Sequence, residues 1–216
     1  MYFAVLDTET TNGIIVDDKL DLSNSLVYDL GYAIVDEQGK VYLTRSFVID
    51  EIFNDEVLME VAYFKDKIPQ YKKEIEEGTR TLVSFFDARK QLIKDLQEYG
   101  CKIVSAHNSY FDKMALNNTY RYLTKSKYRW YFHYEVKIID TLKMAKKKIC
   151  TLEQYKKFCI DNGYLTNHKK PRPRATAEIL YRFITNNTDF IESHTGLEDV
   201  LIEKEILKFC LTLYKK

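Results

Sequence analysis

Apolar and polar positions change period along the chain, and each period predicts an element. Residues 2–6 (YFAVL) form a continuous apolar run, the pattern of a strand buried on both faces. Residues 26–35 and 40–49 are rich in Val, Ile, Tyr and Leu, and DEQG at 36–39 separates them, which predicts a β-hairpin with a Gly turn. From Thr79 the period lengthens. Leu82, Phe85, Phe86, Leu92, Ile93 and Leu96 recur at helical spacing, and Gly100 closes the helix. Residues 101–106 (CKIVSA) predict another short buried strand, followed by a helix from about Asn108. Residues 136–139 predict a fifth strand before a helix starting near Thr141, and further helices are expected over 151–162, 175–185 and 195–213. This order predicts an α/β fold with a mixed five-stranded sheet flanked by helices, the hairpin supplying its antiparallel part. No repeat or composition shift divides the chain, so residues 1–216 are expected to form a single domain.

Composition narrows the function classes. Hydrophobic residues are 45% and charged residues 30% of 216, enough to build a sizeable core. Lys and Arg number 33 against 32 Asp and Glu, so only local charge can point to a nucleic-acid partner. Residues 137–174 are locally basic, with eleven Lys/Arg against three Asp/Glu, and contain the Pro-broken loop NHKKPRPR at 167–174. These charges fit either a phosphate track or solvated surface. KSKYRWYFHY at 125–134 interleaves cations with aromatics, which fits either a stacking platform for a single strand or a core-facing segment. Asp17, Asp18, Lys19 and Asp21 read as a solvated loop. Cys101, Cys150, Cys159 and Cys210 form no CxxC pair and read as reduced thiols of a cytoplasmic protein. No apolar run approaches the roughly 18 residues of a membrane helix. Asp7 and Glu9 interrupt the N-terminal apolar stretch, which argues against a signal peptide.

Asp7 and Glu9 are two apart, so on an extended backbone they face the same way. Side by side they repel unless a cation lies between them, and oxygen donors suit Mg²⁺ or Mn²⁺. About five acid-x-acid pairs arise by chance in such a chain, so position must carry the signal; this pair follows an apolar strand, where α/β sheets bind ligands. Asp112 follows the 101–106 strand on the first turns of the next helix, where the helix dipole alone would favour an acid; the functional alternative is a third metal ligand. Asn108, at that junction, is either a helix N-cap or a group that holds substrate. In SHTGLEDV, Thr195 and Glu198 form a capping box. That leaves His194 on the incoming loop and Asp199 on the first turn, where both can converge. His133 and His168 carry no such context.

Taken in order, LDTET, AHNSYFD and HTGLEDV resemble the three motifs of the DEDDh (DnaQ-like) 3′–5′ exonucleases, which share the RNase H-like fold. The patterns D-x-E, N-x-x-F-D and H-x-x-x-x-D are filled by Asp7 and Glu9, by Asn108, Phe111 and Asp112, and by His194 and Asp199. The Tyr-bearing sister group has Tyr where this chain has Thr195. Asn12 before Gly13 departs from relatives that have Gly directly after D-T-E-T-T.

The resemblance implies that Asp7, Glu9, Asp112 and Asp199 hold two Mg²⁺ (or Mn²⁺) ions, with His194 as general base. It implies that Thr8, Thr10 and Asn108 meet the terminal nucleotide and that Asp140 is structural. The expected activity is hydrolysis at the 3′ end of single-stranded nucleic acid, DNA first, as in proofreading or trimming, with release of nucleoside 5′-monophosphates. A polymerase or replication protein is a possible partner. RNA or oligoribonucleotide degradation is the alternative within this chemistry. A non-catalytic nucleic-acid-binding module, or a domain whose basic region meets an acidic protein, are alternatives outside it.

Overall fold

The computed structural model describes residues 1–11, 14–16, 19–21 and 24–215, with backbone alone at 14–16 and 19–21. Asn12, Gly13, Asp17 and Asp18 lie outside the described residues. The chain runs β1 (Tyr2–Thr11), β2 (Ile14–Val16), β3 (Lys19–Asp21), β4 (Leu26–Asp36), β5 (Val41–Ile49), α1 (Asp50–Phe53), α2 (Glu56–Met59) and, after a 3-10 turn, α3 (Ile68–Glu76). Then follow β6 (Thr81–Val83), α4 (Phe85–Glu98), β7 (Ile103–Ala106), α5 (Tyr110–Thr124), β8 (Lys137–Asp140), α6 (Thr141–Lys148), α7 (Glu153–Asp161), α8 (Ala177–Thr185) and α9 (Gly196–Lys215).

The central sheet has the order β6-β5-β4-β1-β7-β8, six strands rather than the expected five, and β2–β3 form a separate ribbon. The additional strand is β6, which pairs in parallel with the end of β5. Helical spacing had absorbed its residues, but Ser84 stops that helix short: its hydroxyl accepts the Asp87 N–H at 3.1 Å and caps α4. Lys19 and Asp21, expected in a loop, lie in β3. Strand β1 does not end at Leu6 but continues to Thr11, because β4 pairs with it along its whole length, with a register shift between Glu9 and Thr10. The expected elements from residue 101 onward appear within a few residues of their expected bounds.

Two packing layers position the site. Leu6, Leu30 and Ile34 on one face of the sheet meet Leu92, Leu96, Ala115 and Leu116 of α4 and α5. Phe3, Val5, Ala33 and Val35 on the other face meet Val200 and Leu207 of α9. Burial of these apolar surfaces is the main force holding both helix layers on the sheet. The start of α9 lies directly on β4: a Cβ at Gly31 would sit 2.2 Å from the Gly196 carbonyl carbon, so only glycine permits this approach. Antiparallel pairing with β4 and parallel pairing with β7 make β1 central. Its acid-bearing end, the end of β7 and the N-terminus of α9 therefore face one cleft.

Candidate active site

The cleft has a volume of about 900 Å³. Asp7 and Glu9 enter it from β1, Asp112 from the first turn of α5, Asp199 and Glu203 from α9, and Glu192 and His194 from the preceding loop. Carboxylate oxygens of Asp7, Glu9 and Asp199 lie within 4.8 Å of one another, and so do ligand atoms of Glu192, His194 and Asp199. Asp112 stands outside both groups. It accepts the Thr8 hydroxyl at 2.9 Å, and its charge bears on Asp7.

The local structure explains each placement. A strand points alternate side chains the same way, so Asp7 and Glu9 share a face. Asn108 takes a left-handed φ of 67° and turns the chain from β7 into α5, its carbonyl accepting the Phe111 N–H at 2.8 Å. It is not the helix cap; Ser109 occupies that position without a side-chain capping bond. Thr195 precedes α9, its hydroxyl donates to Glu198, and its carbonyl accepts the Asp199 N–H at 3.0 Å. Asp140 caps α6 by accepting the Lys143 N–H at 3.1 Å. Thr10 and Asn108 line the cleft, as does Thr8.

The electrostatics are those of a site short of positive charge. Burial and then the charges of Glu203, Asp112, Glu9 and Asp199 push Asp7 well above the usual carboxylate range. Burial, followed by Asp29 and Asp199, raises Glu9 to about 9. Burial raises Asp199 to about 8, with Glu192 and Glu198 adding to it, and raises Asp112 to about 7 against the Thr8 hydrogen bond. Lys67 supplies an opposing field. Among the described residues, none of Asp7, Glu9, Asp112, Asp199 and Glu203 pairs with a Lys or Arg. Asp199 Oδ1 is buried without a hydrogen-bond partner, an expensive state for a carboxylate oxygen. Crowded, buried, unpaired oxygen donors fit hard divalent cations such as Mg²⁺.

His194 stands at the rim with φ 53°. Its ring stacks on Phe64 at 4.6 Å, and its Nδ1 lies 3.9 Å from Glu192 Oε2. Burial and then Lys67 hold its pKa below the usual histidine value. Sequence reasoning missed several neighbours. Glu203 is buried, accepts the His107 backbone N–H at 3.0 Å and is raised well above its usual range, by burial first. Its signal was its position four residues after Asp199 on one helix face. Burial raises Glu192 to about 7. His107 contacts Thr141 Oγ1 at 3.1 Å and the Ala175 carbonyl at 2.8 Å, tying β7 to α6. Phe64 and Tyr63 come from a segment without a recognisable motif. The lining also includes Lys146, Asn167 and Arg174 from the basic 137–174 region.

No protein-family model and no curated protein matches this chain. Solved structures do. A 3′-exonuclease described for 3′-end specific recognition of the histone mRNA stem-loop matches with TM-score 0.58 and 16% identity over 97% of this chain and 63% of that one. The nuclease domain of 3′hExo, a DEDDh family member bound to rAMP, matches with TM-score 0.58 and 16% identity over 98% and 92%. E. coli Exonuclease I in complex with a dA16 oligonucleotide matches with TM-score 0.59 and 11% identity over 99% of this chain and 41% of that one. The chain thus spans under two thirds of the first of these and less than half of Exonuclease I. With its mixed sheet, flanking helices and acid-lined cleft, the chain has the RNase H-like fold of the DEDDh 3′-exonucleases.

Proposed function

We propose that the protein is a divalent-metal-dependent 3′–5′ exonuclease acting on single-stranded nucleic acid and releasing nucleoside 5′-monophosphates. The observation that carries this reading is the convergence, on a 3′-exonuclease fold, of unpaired buried carboxylates from β1, α5 and α9 with a histidine at their rim. Asp7, Glu9, Asp112 and Asp199 would hold two Mg²⁺ ions, whose chemistry is to stabilise the attacking and leaving oxygens of an in-line displacement at phosphorus.

The chain's own groups supply the rest. His194, held below its usual pKa, is neutral near pH 7 and accepts the proton of the attacking water. Thr8 holds the Asp112 carboxylate through its hydroxyl, so its side chain serves the acid rather than the nucleotide. Asn108 and Thr10 line the wall on which the terminal nucleotide would rest, and Tyr63, Phe64 and Phe111 offer rings to its base. Lys146 and Arg174, which also line the cleft, would supply the positive charge that substrate phosphates require.

Of the similar structures, one is bound to rAMP and another to dA16, so DNA and RNA are both carried as substrates. Proofreading or trimming of DNA, with a polymerase as partner, would use the same chemistry as RNA degradation; the sugar preference separates these roles. The test is incubation of 5′-labelled single-stranded DNA and RNA with Mg²⁺, Mn²⁺ or EDTA. A ladder shortening from the 3′ end, stopped by EDTA, is expected. No shortening of either strand with either metal would overturn the proposal.

A further inference from the structure

The segment joining α5 to β8 takes no part in the cleft, yet its composition is unusual for a connection. Residues 121–134 hold Arg121, Lys125, Lys127 and Arg129 and no Asp or Glu. The neighbouring ion pair joins His133 to Glu135, so among the described residues these four cations have no carboxylate partner. Large rings stand in solvent beside them: Tyr128 is 87%, Trp130 59% and Tyr134 86% exposed. The Arg121 guanidinium lies 4.6 Å from the Trp130 ring centroid and the Lys125 ammonium 4.2 Å from that of Tyr122.

This is a built surface. Tyr131 is buried between the exposed rings; its N–H donates to Asn117 Oδ1 at 2.8 Å, and its carbonyl accepts Arg89 Nε at 2.8 Å. Two helices therefore pin the segment while its aromatic side chains face outward. Exposed rings among cations match the requirement for binding unpaired bases and their phosphates. A second copy of this surface is a poor occupant, because it would set four cations against four.

We propose that this surface is a second contact for the single-stranded substrate, several nucleotides 5′ of the end held in the cleft. The proposal rests on the exonuclease reading. Helix α5 links the two places: Asp112 lies in its first turn and Lys125 caps its end, thirteen residues on, or about 20 Å at 1.5 Å per residue. A groove lined by Met114, Asn118, Arg121 and Tyr122 of the same helix, together with Leu26 and Leu58, lies between the two places. At about 3.4 Å per stacked nucleotide, roughly six nucleotides span the distance.

The experiment compares a 4-mer and a 15-mer of oligo-dT, or of oligo-U if RNA is the substrate, in steady-state cleavage and, with EDTA, in fluorescence anisotropy. The variants are Tyr128→Ala/Trp130→Ala and Lys127→Glu/Arg129→Glu, all at exposed positions. Both should raise KM and Kd for the 15-mer about tenfold, leaving kcat and every 4-mer value unchanged. Equal 15-mer values for variant and wild type would overturn the proposal, as would equal losses on both lengths. A dimer of the wild type broken by either variant in sedimentation would assign the surface to self-association and also overturn it. If the wild type cleaves neither oligomer, the exonuclease reading fails, and 15-mer anisotropy still decides whether this surface binds a strand.

Discussion

Two carboxylates that face each other across β1 and β4, Glu9 and Asp29, are both buried and have opposite surroundings. One oxygen of Asp29 takes three donors: the Tyr71 hydroxyl at 2.6 Å, Arg80 Nη1 at 3.1 Å and the Gly196 N–H at 3.0 Å. Arg80 also binds Glu74, and its Nη2 reaches Glu198 at 3.0 Å. Burial raises the Asp29 pKa while Arg80, Tyr71 and Gly196 pull it back. Glu9 has no such set. Its acidic neighbours add to its burial, and Lys67 answers only in part. A buried acid with its cation in place is structural and here clamps the start of α9, which carries Asp199, to the sheet. The adjoining acids whose cation is not a side chain are the ones suited to metal.

This contrast makes tests of decreasing size. Asp112→Asn removes one oxygen-donor carboxylate from the cleft. Metal stabilisation of the transition state is worth several kcal/mol, so turnover should fall about a thousandfold or more, while thermal unfolding of the metal-free protein is not lowered. A variant retaining Mg²⁺-dependent cleavage in the strand-shortening assay would place Asp112 with the structural acids.

Arg80→Met does the reverse. It leaves Asp29 buried without its cation and should cost about 3–5 kcal/mol of stability in urea unfolding, part of which Asp29→Asn in the same chain should restore. Unchanged stability would mean that Asp29 does not depend on its partner.

A smaller effect is expected from pH. Asp112, Asp199 and Glu9 sit at about 7, 8 and 9 in the folded protein, above unfolded values near 4. Between those limits the folded state binds more protons than the unfolded chain, so their stabilisation is complete below about pH 4 and is lost as pH rises through the folded values. The Tm of the metal-free protein should fall from about pH 5 to pH 9, and a saturating divalent cation should reduce the fall. A flat metal-free profile would remove the distinction between the two sets of acids.

Much of the site was legible along the chain because its elements are locally coded. Apolar runs announced β1 and β7, the Thr195–Glu198 spacing announced the start of α9, and alternation placed Asp7 and Glu9 on one side. Glu192 and Phe64 escaped notice because they lie outside the three motifs and matter only for what lies opposite them; His107 lies inside AHNSYFD but off the N-x-x-F-D pattern, and Glu203 showed only as the residue four places after Asp199 on one helix face. Strand β6 was lost to a helical spacing that its exposed residues imitated, and Ser84 marks where the two patterns part.

The residue order by itself determined most of the alternation of strands and helices, the shared face of Asp7 and Glu9, and the histidine outside α9, since periodicity and capping act over a few residues. Only the tertiary structure decided which acids are paired and which are not. Burial and cross-strand neighbours set the field at each carboxylate, and those neighbours come from distant parts of the chain: Arg80 reaches Asp29, and no Lys or Arg among the described residues pairs with Glu9.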